Sequence, residues 1–352
     1  MHLTNRERFD VICVGDVATD VYITLSRDRA EVRNEADGPR LVLPFGAKLP
    51  YESSFTVEAG GNAANAAVAC ARIGLRVALA THLGADQVGR DLLAALHSEE
   101  IDTSLARLDQ RAPTNRHFVL RLGPERTILV HHEQHDYHWP HLHPSELPGW
   151  LYLSSVGREA DGYENQLADW LDENTSVELA FQPGTYQIDR GAVRLARLYR
   201  RAALLVCNRE EAATIGGCAR TDDIDALLSG LLALGPRRVV ITDAIAGANA
   251  ADGTERYWVP IYPDTGSVVD RTGAGDAFAA TLLAYLVQGM PLEEALLRAP
   301  VNAMSVVQAI GTQAGLLRDD EITAYLDARP QEFAVHSRRP RPGGNARVAA
   351  RH

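Results

Sequence analysis

Several residue types and patterns are scarce in this chain of 352 residues, and each shortage narrows the class of protein. The four cysteines (Cys13, Cys70, Cys207 and Cys218) are scattered without CxxC spacing, which favours buried free thiols in a reducing cytosol. Lys and Arg number 35 against 46 Asp and Glu, and the net charge of −11 argues against nucleic acid as the main partner. Because neither an apolar signal core nor a run of membrane-spanning length is present, we expect a cytoplasmic protein without a membrane partner.

Short apolar runs recur along the chain, and segments with helical periodicity separate them. The predicted buried strands are residues 11–15, 77–81, 151–154, 177–181, 203–207 and 239–242. Alternation of such strands with helices is typical of an α/β protein with a mostly parallel sheet. The length suits one large domain with an excursion from it. We place the whole domain at residues 1–335.

The excursion is predicted because the apolar residues there recur with a period of two, which differs from the alternation of apolar strands and helices elsewhere. Residues 116–122 and 127–132 alternate partially and flank a Gly-Pro-Glu-Arg turn, which indicates a hairpin with one solvated face. We assign it to a lid formed by about residues 17–58 and 112–140, within which residues 27–50 are expected to be a loop or an exposed flap. A small sheet exposes its edges, so we predict a homodimer that pairs two lids.

Two segments are notable for their composition. Residues 131–143 (HHEQHDYHWPHLH) contain six of the twelve histidines, but the spacing matches no ordered zinc pattern and prolines interrupt it. We interpret this histidine-rich segment as a loop that rims the active site and binds no structural zinc. Residues 336–352 are basic and contain Pro and Gly but few apolar residues, so we predict a disordered tail.

The stretch VVDRTGAGDAF at residues 268–278 carries the strongest chemical signal. A strand leads into a turn of small residues, Gly273, Ala274 and Gly275, and a helical pattern follows. Free backbone N–H groups and the helix dipole make such a turn an anion site. Asp276, on the first helical turn, is placed to take a proton from a hydroxyl, which together with the anion site predicts phosphoryl transfer. The alternative is a tight turn with an acidic helix cap.

Polar residues that could bind a polyol follow the first strand and open the first helix. Asp16 and Asp20 come at the carboxyl end of the strand, where open α/β sheets bind ligands, although a turn Asp bonded to local backbone has the same pattern. The second set begins with paired glycines that permit close approach of a ligand, and Asn donors and acceptors suit sugar hydroxyls. This set consists of Gly60, Gly61, Asn62 and Asn65. An ordinary N-capped helix is the alternative.

Asn208 and Glu211 lie three residues apart after another strand. Such a pair can hold water on a magnesium ion. A capping box at the start of a helix explains the same spacing equally well. The sequence leaves both interpretations open.

GGNAANAAVACARIG near residue 60 and DRTGAGDAF near residue 270, with Asn208 and Glu211 between them, resemble the signatures of the ribokinase-like (PfkB) carbohydrate kinase family. The resemblance spans about residues 10–327. It implies a three-layer αβα sandwich with a central, mostly parallel sheet and a small β-sheet lid. It also implies ATP, Mg²⁺ and, in many members, a stimulating monovalent cation such as K⁺.

The resemblance also implies roles for individual residues. Asp276 resembles the catalytic base, and Gly273, Ala274 and Gly275 resemble the anion hole for the γ-phosphate. The sugar-site positions implied are Asp16, Gly60, Gly61, Asn62 and Asn65, to which we add Asp20. Asn208 and Glu211 resemble the magnesium and phosphate pair, with Glu211 acting through water. The nucleotide contacts implied are Thr242, Gly247 and Asn302. The loops around the monovalent cation correspond to Asp270, Thr272, Gly311 and Gly315.

Two positions depart from the family pattern. Arg271 stands where a small residue is common and could clamp a phosphate, so we include it among the nucleotide-binding residues. Ala244 stands where the nucleotide turn usually has glycine, which matters if that position needs a positive φ. We predict transfer of the γ-phosphate to a primary hydroxyl of a ribose- or fructose-like sugar. The alternatives are a nucleoside kinase and a catalytically silent sugar-binding homologue.

Overall fold

The computed structural model describes residues 8–36, 38–123, 125–143, 146–217 and 223–338. The strands are β1 (Val11–Val14), β2 (Ala18–Leu25), β3 (Glu31–Glu35), β4 (Gly38–Val42), β5 (Tyr51–Gly60), β6 (Val77–Ala80), β7 (His82–Gly84), β8 (Arg107–Asp109), β9 (Arg116–Leu122), β10 (Glu125–Leu129), β11 (Trp150–Leu153), β12 (Glu178–Phe181), β13 (Ala202–Asn208), β14 (Val239–Thr242), β15 (Ala248–Ala251), β16 (Arg256–Val259) and β17 (His336–Arg338). The helices are α1 (Asn62–Arg72), α2 (Gln87–Ser98), α3 (Asp161–Glu173), α4 (Thr185–Arg190), α5 (Ala196–Arg201), α6 (Arg209–Ile215), α7 (Ile224–Ala233), α8 (Ala274–Val287), α9 (Leu292–Val306) and α10 (Asp319–Asp327).

The large sheet has nine strands in the order β17-β16-β15-β14-β13-β12-β11-β1-β6. The six strands from β14 to β6 pair in parallel, whereas β15, β16 and β17 extend the sheet antiparallel. Both faces carry helices, so the predicted three-layer αβα sandwich with a mostly parallel central sheet is confirmed.

Alternation within the buried strands divides the apolar core into two layers. In β1, Val11 and Cys13 belong to the layer that contains α1, α2, α8, α9 and α10, while Ile12 and Val14 belong to the layer that contains α3, α5, α6 and α7. All four β1 side chains are fully buried, as expected for a central parallel strand with helices on both faces. This arrangement places the carboxyl ends of β1, β12 and β13 at one edge of the sheet, where the candidate site lies.

A second, four-stranded sheet in the order β10-β9-β2-β5 is built from the two predicted excursions. β9 and β10 form the predicted hairpin, and β2 pairs in parallel with β9 and antiparallel with β5. Strands β3 and β4, which lie within residues 27–50, form a separate and mostly exposed hairpin, so this part of the chain is an exposed flap rather than a loop. Local sequence did not reveal this hairpin because its residues are polar and mostly exposed.

The carboxyl terminus differs from the predicted tail at its first residues. β17 pairs antiparallel with β16 through Arg256, Tyr257 and Trp258, and the Trp258 ring contacts the ring of His336 at 5.3 Å. The prediction of disorder is therefore wrong for residues 336–338, since backbone pairing can order a strand that has few apolar side chains. The rest of the predicted tail, like Cys218, lies outside the described residues. Within the described ranges, no helix is both long enough and apolar enough to cross a bilayer.

Candidate active site

Asp276 lies at the centre of the polar residues predicted from the sequence. Helix α8 begins at Ala274, so the half-buried Asp276 is on its first turn. The Asp276 carboxylate accepts hydrogen bonds from Asn65 Nδ2 at 2.9 Å and from Gln182 Nε2 at 3.1 Å. Burial raises the pKa of Asp276, the two hydrogen bonds oppose this shift, and the negative charge of Asp20 adds to it. The carboxylate is thus positioned by two amides and is more basic than an ordinary Asp.

The turn before α8 has the geometry of an anion site. Gly273 adopts φ = 84°, a left-handed conformation, and a Cβ atom there would lie 2.9 Å from Thr312 Cβ. No side chain in the described part of the chain caps the first turn of α8. The N–H groups at the start of an α-helix have no intrahelical partner, so those of Ala274 and Gly275 can bind an anion beside Asp276.

The predicted sugar-side residues converge on one side of Asp276. Asp16, just before β2, and Asp20, within β2, are both buried. A Cβ atom at Gly60 would lie 2.2 Å from Asp20 Oδ2, so a side chain there would displace that carboxylate, and Gly61 has φ = 96° at the start of α1. Asn62 is the first residue of α1, and the buried Asn65 contacts Asp276 directly.

Asp16 has protein partners that the sequence did not identify. The Tyr137 hydroxyl lies 2.8 and 2.7 Å from the two Asp16 carboxylate oxygens, and His132 Nδ1 lies 3.2 Å from Oδ2. Both partners belong to the histidine-rich segment, which was interpreted as a loop at the rim of the site. Burial raises the pKa of Tyr137, and the Asp16 charge raises it further, so the phenol remains the proton donor.

On the other side of Asp276 a cleft of about 300 Å³ opens along α8 and α9. Apolar residues from α9 form one wall, and the turn after β14 forms another. Its lining includes Thr242, Gly247, Arg271, Gly275, Pro300 and Met304. An apolar slot that ends at a helix N-terminus suits a nucleotide base with its phosphates directed at Asp276.

The carbohydrate kinase model of the pfkB family matches residues 10–319 of this chain. The protein belongs to that family. The chain is 26% identical over 314 residues to ribokinase from Mus musculus, with 86% of this chain and 90% of the relative covered. It is 25% identical over 338 residues to 5-dehydro-2-deoxygluconokinase from Shouchella clausii, with 91% and 96% covered.

Solved structures resemble this pfkB-family kinase over most of its length. A nucleoside kinase from Methanocaldococcus jannaschii, a member of the ribokinase family, has a TM-score of 0.75 at 18% identity and covers 92% of this chain and 100% of its own. Arabidopsis thaliana ribokinase complexed with ribose and ATP has a TM-score of 0.74 at 20% identity, with 91% and 99% covered. The fold is thus shared, and the family membership makes the protein a phosphotransferase with an alcohol group as acceptor.

In this kinase the departure at Ala244 has a structural consequence. Ala244 adopts φ = 45°, in the left-handed region, and begins the 3-10 turn Ala244–Ala246 at the cleft. The position therefore requires the positive φ that glycine supplies without strain. Gly247, which closes the turn at φ = 87°, cannot carry a side chain, because a Cβ atom would lie 2.1 Å from the Val259 carbonyl oxygen.

We expect Ala244→Gly to raise the free energy of unfolding by several tenths to about 1 kcal/mol. The left-handed conformation costs a non-glycine residue roughly 1–2 kcal/mol, and the added backbone freedom of glycine offsets about 0.5–1 kcal/mol of the gain. Ala246→Gly is the matched control, since Ala246 has no positive φ, and it should lower stability by roughly 0.5–1 kcal/mol. Urea denaturation of both variants checks this, and equal losses of stability would contradict the strain at Ala244.

Asn302 does not line the nucleotide cleft. Its side chain is fully buried, donates from Nδ2 to Thr281 Oγ1 at 2.8 Å and accepts from the Leu317 backbone N–H at 2.9 Å. The expectation of a nucleotide contact is wrong for this residue, because its helical position directs it to α8 and to the segment before α10. The cleft is lined instead by its helix neighbours Pro300, Ala303 and Met304.

Asn208 and Glu211 satisfy each other as a capping box at the start of α6. The Asn208 side chain accepts from the Glu211 N–H at 2.9 Å, and the Glu211 carboxylate accepts from the Asn208 N–H at 2.8 Å. Burial raises the pKa of Glu211, the hydrogen bond from Asn208 opposes this, and the nearby charge of Asp276 adds to it. The capping interpretation thus holds, and the effect of the Asp276 charge on the pKa of Glu211 indicates that the two carboxylates lie within electrostatic range of each other.

Three of the four residues assigned to the monovalent cation come together. The buried Asp270 carboxylate accepts from the Thr272 N–H at 2.9 Å and the Thr272 hydroxyl at 2.6 Å, and the Gly311 N–H lies 3.4 Å from it. Gly315 instead packs on the end of α9, where a Cβ atom would lie 2.5 Å from the Ser305 carbonyl oxygen. Within the described ranges, no group of three His, Cys, Asp or Glu residues has the arrangement of a metal site.

Sequence analysis gave no role to several residues that contact the site. His117 lies 3.3 Å from Asp20, Gln182 donates to Asp276, and the Thr312 hydroxyl donates to Asn65 Oδ1 at 2.8 Å. The one available signal was the position of Gln182 directly after a buried strand, where α/β sheets place functional side chains. The other contacts depend on segments that are far apart in the chain.

Proposed function

We propose that this protein is an ATP-dependent kinase that transfers the γ-phosphate to a primary hydroxyl of a small, ribose- or fructose-like sugar. The observation that carries the proposal is the position of Asp276. It lies on the first turn of α8, next to Gly275 in the lining of the apolar cleft, and two amides hold its carboxylate. A general base next to an anion site is the arrangement that phosphoryl transfer to an alcohol requires.

The residues act in a simple sequence. The primary hydroxyl lies against Asp276 and loses its proton to the carboxylate as its oxygen bonds to the γ-phosphorus. The bond between that phosphorus and the β,γ-bridging oxygen breaks, and the backbone N–H groups of Ala274 and Gly275 stabilise the charge of the transferring group. Because burial raises the pKa of Asp276, turnover should decline with falling pH at a higher pH than an ordinary Asp would give.

The residues that line the cleft fit ATP. The apolar wall from α9 suits adenine, and the exposed Arg271 at the cleft can pair with phosphate oxygens. A bound Mg²⁺ would neutralise phosphate charge during transfer, and Glu211, with Asn208, is the side chain that would hold it through water. K⁺ at Asp270, Thr272 and Gly311, like the cytoplasmic location, stays a prediction.

A sugar acceptor is favoured over a nucleoside. A nucleoside base needs an aromatic face, and neither Tyr22 nor Tyr137 offers one. Tyr22 is fully buried and stacks on Phe55 at 4.5 Å, and the Tyr137 hydroxyl is engaged by Asp16. The position of Asp276 beside an intact glycine turn also argues against a catalytically silent homologue.

Release of ADP from ATP and Mg²⁺ tests the proposal on a panel of ribose, fructose, 5-dehydro-2-deoxygluconate, adenosine and inosine. We expect ADP release with at least one sugar and none with the nucleosides. Phosphorus NMR of the product should show a phosphomonoester on a primary carbon. ADP release with a nucleoside alone would contradict the sugar assignment, and none with any compound would contradict the proposed function.

We also propose that two copies pair through the four-stranded sheet. Its edge strands β5 and β10 carry exposed apolar side chains, including Tyr51, Ile128 and Leu129. Covering them would remove apolar surface and unpaired edges from water. Light scattering at micromolar concentration should give the mass of a dimer, and Leu129→Lys should shift it towards the monomer. Val193→Lys, at an exposed site between α4 and α5 and outside the four-stranded sheet, should not. A monomeric mass for the unaltered protein would contradict this.

A further inference from the structure

A buried tyrosine, Tyr152, lies behind the glutamine that donates to Asp276. We propose that Tyr152 is a positioning residue for the base: its hydroxyl fixes which end of the Gln182 amide faces Asp276, so that Asp276 keeps this N–H donor before and after it takes the proton. The inference rests on the proposed function, in which Asp276 is the base. It adds a residue to that site and leaves the sugar and nucleotide contacts as proposed above.

Sheet pairing brings Tyr152 and Gln182 together. Tyr152 in β11 is the direct partner of Ala180 in the parallel pairing of β11 with β12, and both side chains belong to the core layer that contains α1 and α8. The Gln182 N–H continues this pairing by donating to the Leu153 carbonyl at 2.9 Å. Because side chains alternate between the two faces of a strand, Gln182, two residues after Ala180, faces the layer in which α8 carries Asp276.

An unbroken chain of hydrogen bonds runs from the core to the carboxylate. The Tyr152 hydroxyl donates to Gln182 Oε1 at 2.5 Å, and Gln182 Nε2 donates to Asp276 Oδ1 at 3.1 Å. Tyr152 is 1% exposed, and within the described residues Gln182 Oε1 is the only hydrogen-bond partner of its hydroxyl. Burial raises the pKa of Tyr152, and the charge of Asp276 raises it further, so the phenol stays protonated and remains a donor.

The orientation of the Gln182 amide matters because a glutamine has a donor end and an acceptor end of nearly equal size. While Asp276 is charged, it selects the donor end by itself. Once Asp276 has taken the hydroxyl proton, it can donate, and an amide free to turn would present its oxygen and stabilise the neutral acid. The Tyr152 hydroxyl opposes that reversal, since the turned amide would leave a buried phenol proton without an acceptor.

The second carboxylate oxygen of Asp276 is held in the same way. Asn65 Nδ2 donates to Asp276 Oδ2 at 2.9 Å. Asn65 Oδ1 in turn accepts from the Thr312 hydroxyl at 2.8 Å and from Gln313 Nε2 at 3.1 Å. Both amides therefore have their oxygen engaged elsewhere and present N–H groups to different oxygens of the carboxylate. Two such donors favour the charged form, so they favour loss of the proton after phosphoryl transfer.

Charged groups on neighbouring elements act on Asp276 in the opposite direction. Burial raises the pKa of Asp276, and the charge of Asp20 in β2 adds to this. The hydrogen bonds from Asn65 and Gln182 lower it. Glu211 in α6 also lies within electrostatic range, because the Asp276 charge adds to the effect of burial on the pKa of Glu211. Loss of the Gln182 N–H should therefore raise the pKa of the base, and since a base is lost as pH falls through its pKa, the acid limb of the rate profile should move to higher pH.

The pH dependence of kcat tests this role, with the panel compound that gives the most ADP release as the acceptor. Gln182→Met removes the amide at similar volume, so kcat at neutral pH should fall about tenfold to a hundredfold for one hydrogen bond to a charged group, with KM nearly unchanged. Tyr152→Phe should lower kcat by about two- to tenfold, because Gln182 remains and only its orientation is released. In both variants the acid limb should lie at higher pH than in the unaltered protein, and raising the pH should restore part of the rate.

Tyr285→Phe is the matched control. Tyr285 is also fully buried, and its hydroxyl donates to the Asp319 carboxylate at 2.7 Å from a position further along α8. This variant should keep kcat and the pH profile. If Tyr152 acts through Gln182, the double variant should be no slower than Gln182→Met alone. Multiplying effects, or a profile of Tyr152→Phe that matches that of the unaltered protein, would overturn the inference.

Nitrogen-15 NMR tests the contact without any substrate. The side-chain amide signals of Gln182, identified by their loss in Gln182→Met, should shift as Asp276 titrates and should lose that titration in Asp276→Asn. Tyr152→Phe should move the midpoint to higher pH, and an unmoved midpoint would overturn the role of Tyr152. Absence of ADP release with every panel compound would overturn the proposed function, whereas the midpoint would still decide whether Tyr152 positions Asp276.

Discussion

Asp276→Asn is expected to abolish turnover while the fold and ligand binding persist. The asparagine amide cannot accept the proton that the attacking hydroxyl loses, and general-base assistance contributes roughly a hundred- to ten-thousand-fold in rate. The carboxylate accepts from both Asn65 and Gln182, and an amide oxygen can keep only one of these bonds. The loss of one hydrogen bond to a charged group should lower the free energy of unfolding by about 1.5–3 kcal/mol, and removal of the buried charge offsets part of this loss.

The measurement is ADP release on the active sugar, with titration calorimetry for the sugar and for ATP. ATP binding should persist because the anion site consists of backbone N–H groups, which the substitution leaves in place. The matched control is Asp320→Asn, the same change in the exposed first turn of α10, which should keep full turnover. If Asp276→Asn retained more than about a tenth of the turnover, a loss below the general-base range, Asp276 would not be the base.

Gly273→Ala should both destabilise the protein and impair phosphoryl transfer. A side chain at φ = 84° costs roughly 1–2 kcal/mol, and crowding of Thr312 adds about 1–3 kcal/mol. Displacement of Thr312 should reach Asp276, the proposed base, because Thr312 donates to Asn65 and Asn65 donates to Asp276. A shift of about 1 Å in such a site can cost a hundredfold in rate, so we expect turnover to fall at least tenfold.

Urea denaturation and ADP release check this pair of effects. Gly275→Ala is the control for stability, since Gly275 lies two residues further into the same helix and a Cβ atom there has no neighbour within 4 Å. It should leave the free energy of unfolding unchanged or raise it by about 0.5–1 kcal/mol, because alanine is the better helix former. Equal stability of the two variants would show that the turn tolerates a side chain and that Gly273 is not needed for its conformation.

Much of the architecture could be predicted from local sequence. The six short apolar strands, the hairpin near residue 120 and the glycine turn before Asp276 appear where the patterns placed them, because strand burial, turn chemistry and helix starts depend on neighbouring residues. The strand expected to lead into the glycine turn is absent, since residues 261–271 form neither strand nor helix. The hairpin at residues 31–42 and the strand at residues 336–338 escaped prediction. Both consist mainly of polar residues, and backbone pairing rather than an apolar pattern orders them.

The sequence by itself determined which residue types occupy the end of the sheet: an Asp after a glycine turn, and polar residues after the first strand and at the start of the first helix. Only the tertiary structure decided which side chains meet there. Register pairs Asp20 with His117, and packing brings Tyr137 to Asp16 across 121 residues and turns Asn302 into the core. The left-handed conformation of Ala244 likewise depends on the 3-10 turn that it begins. The physical reason is that hydrogen-bond partners distant in the chain depend on how whole elements pack, which no local pattern encodes.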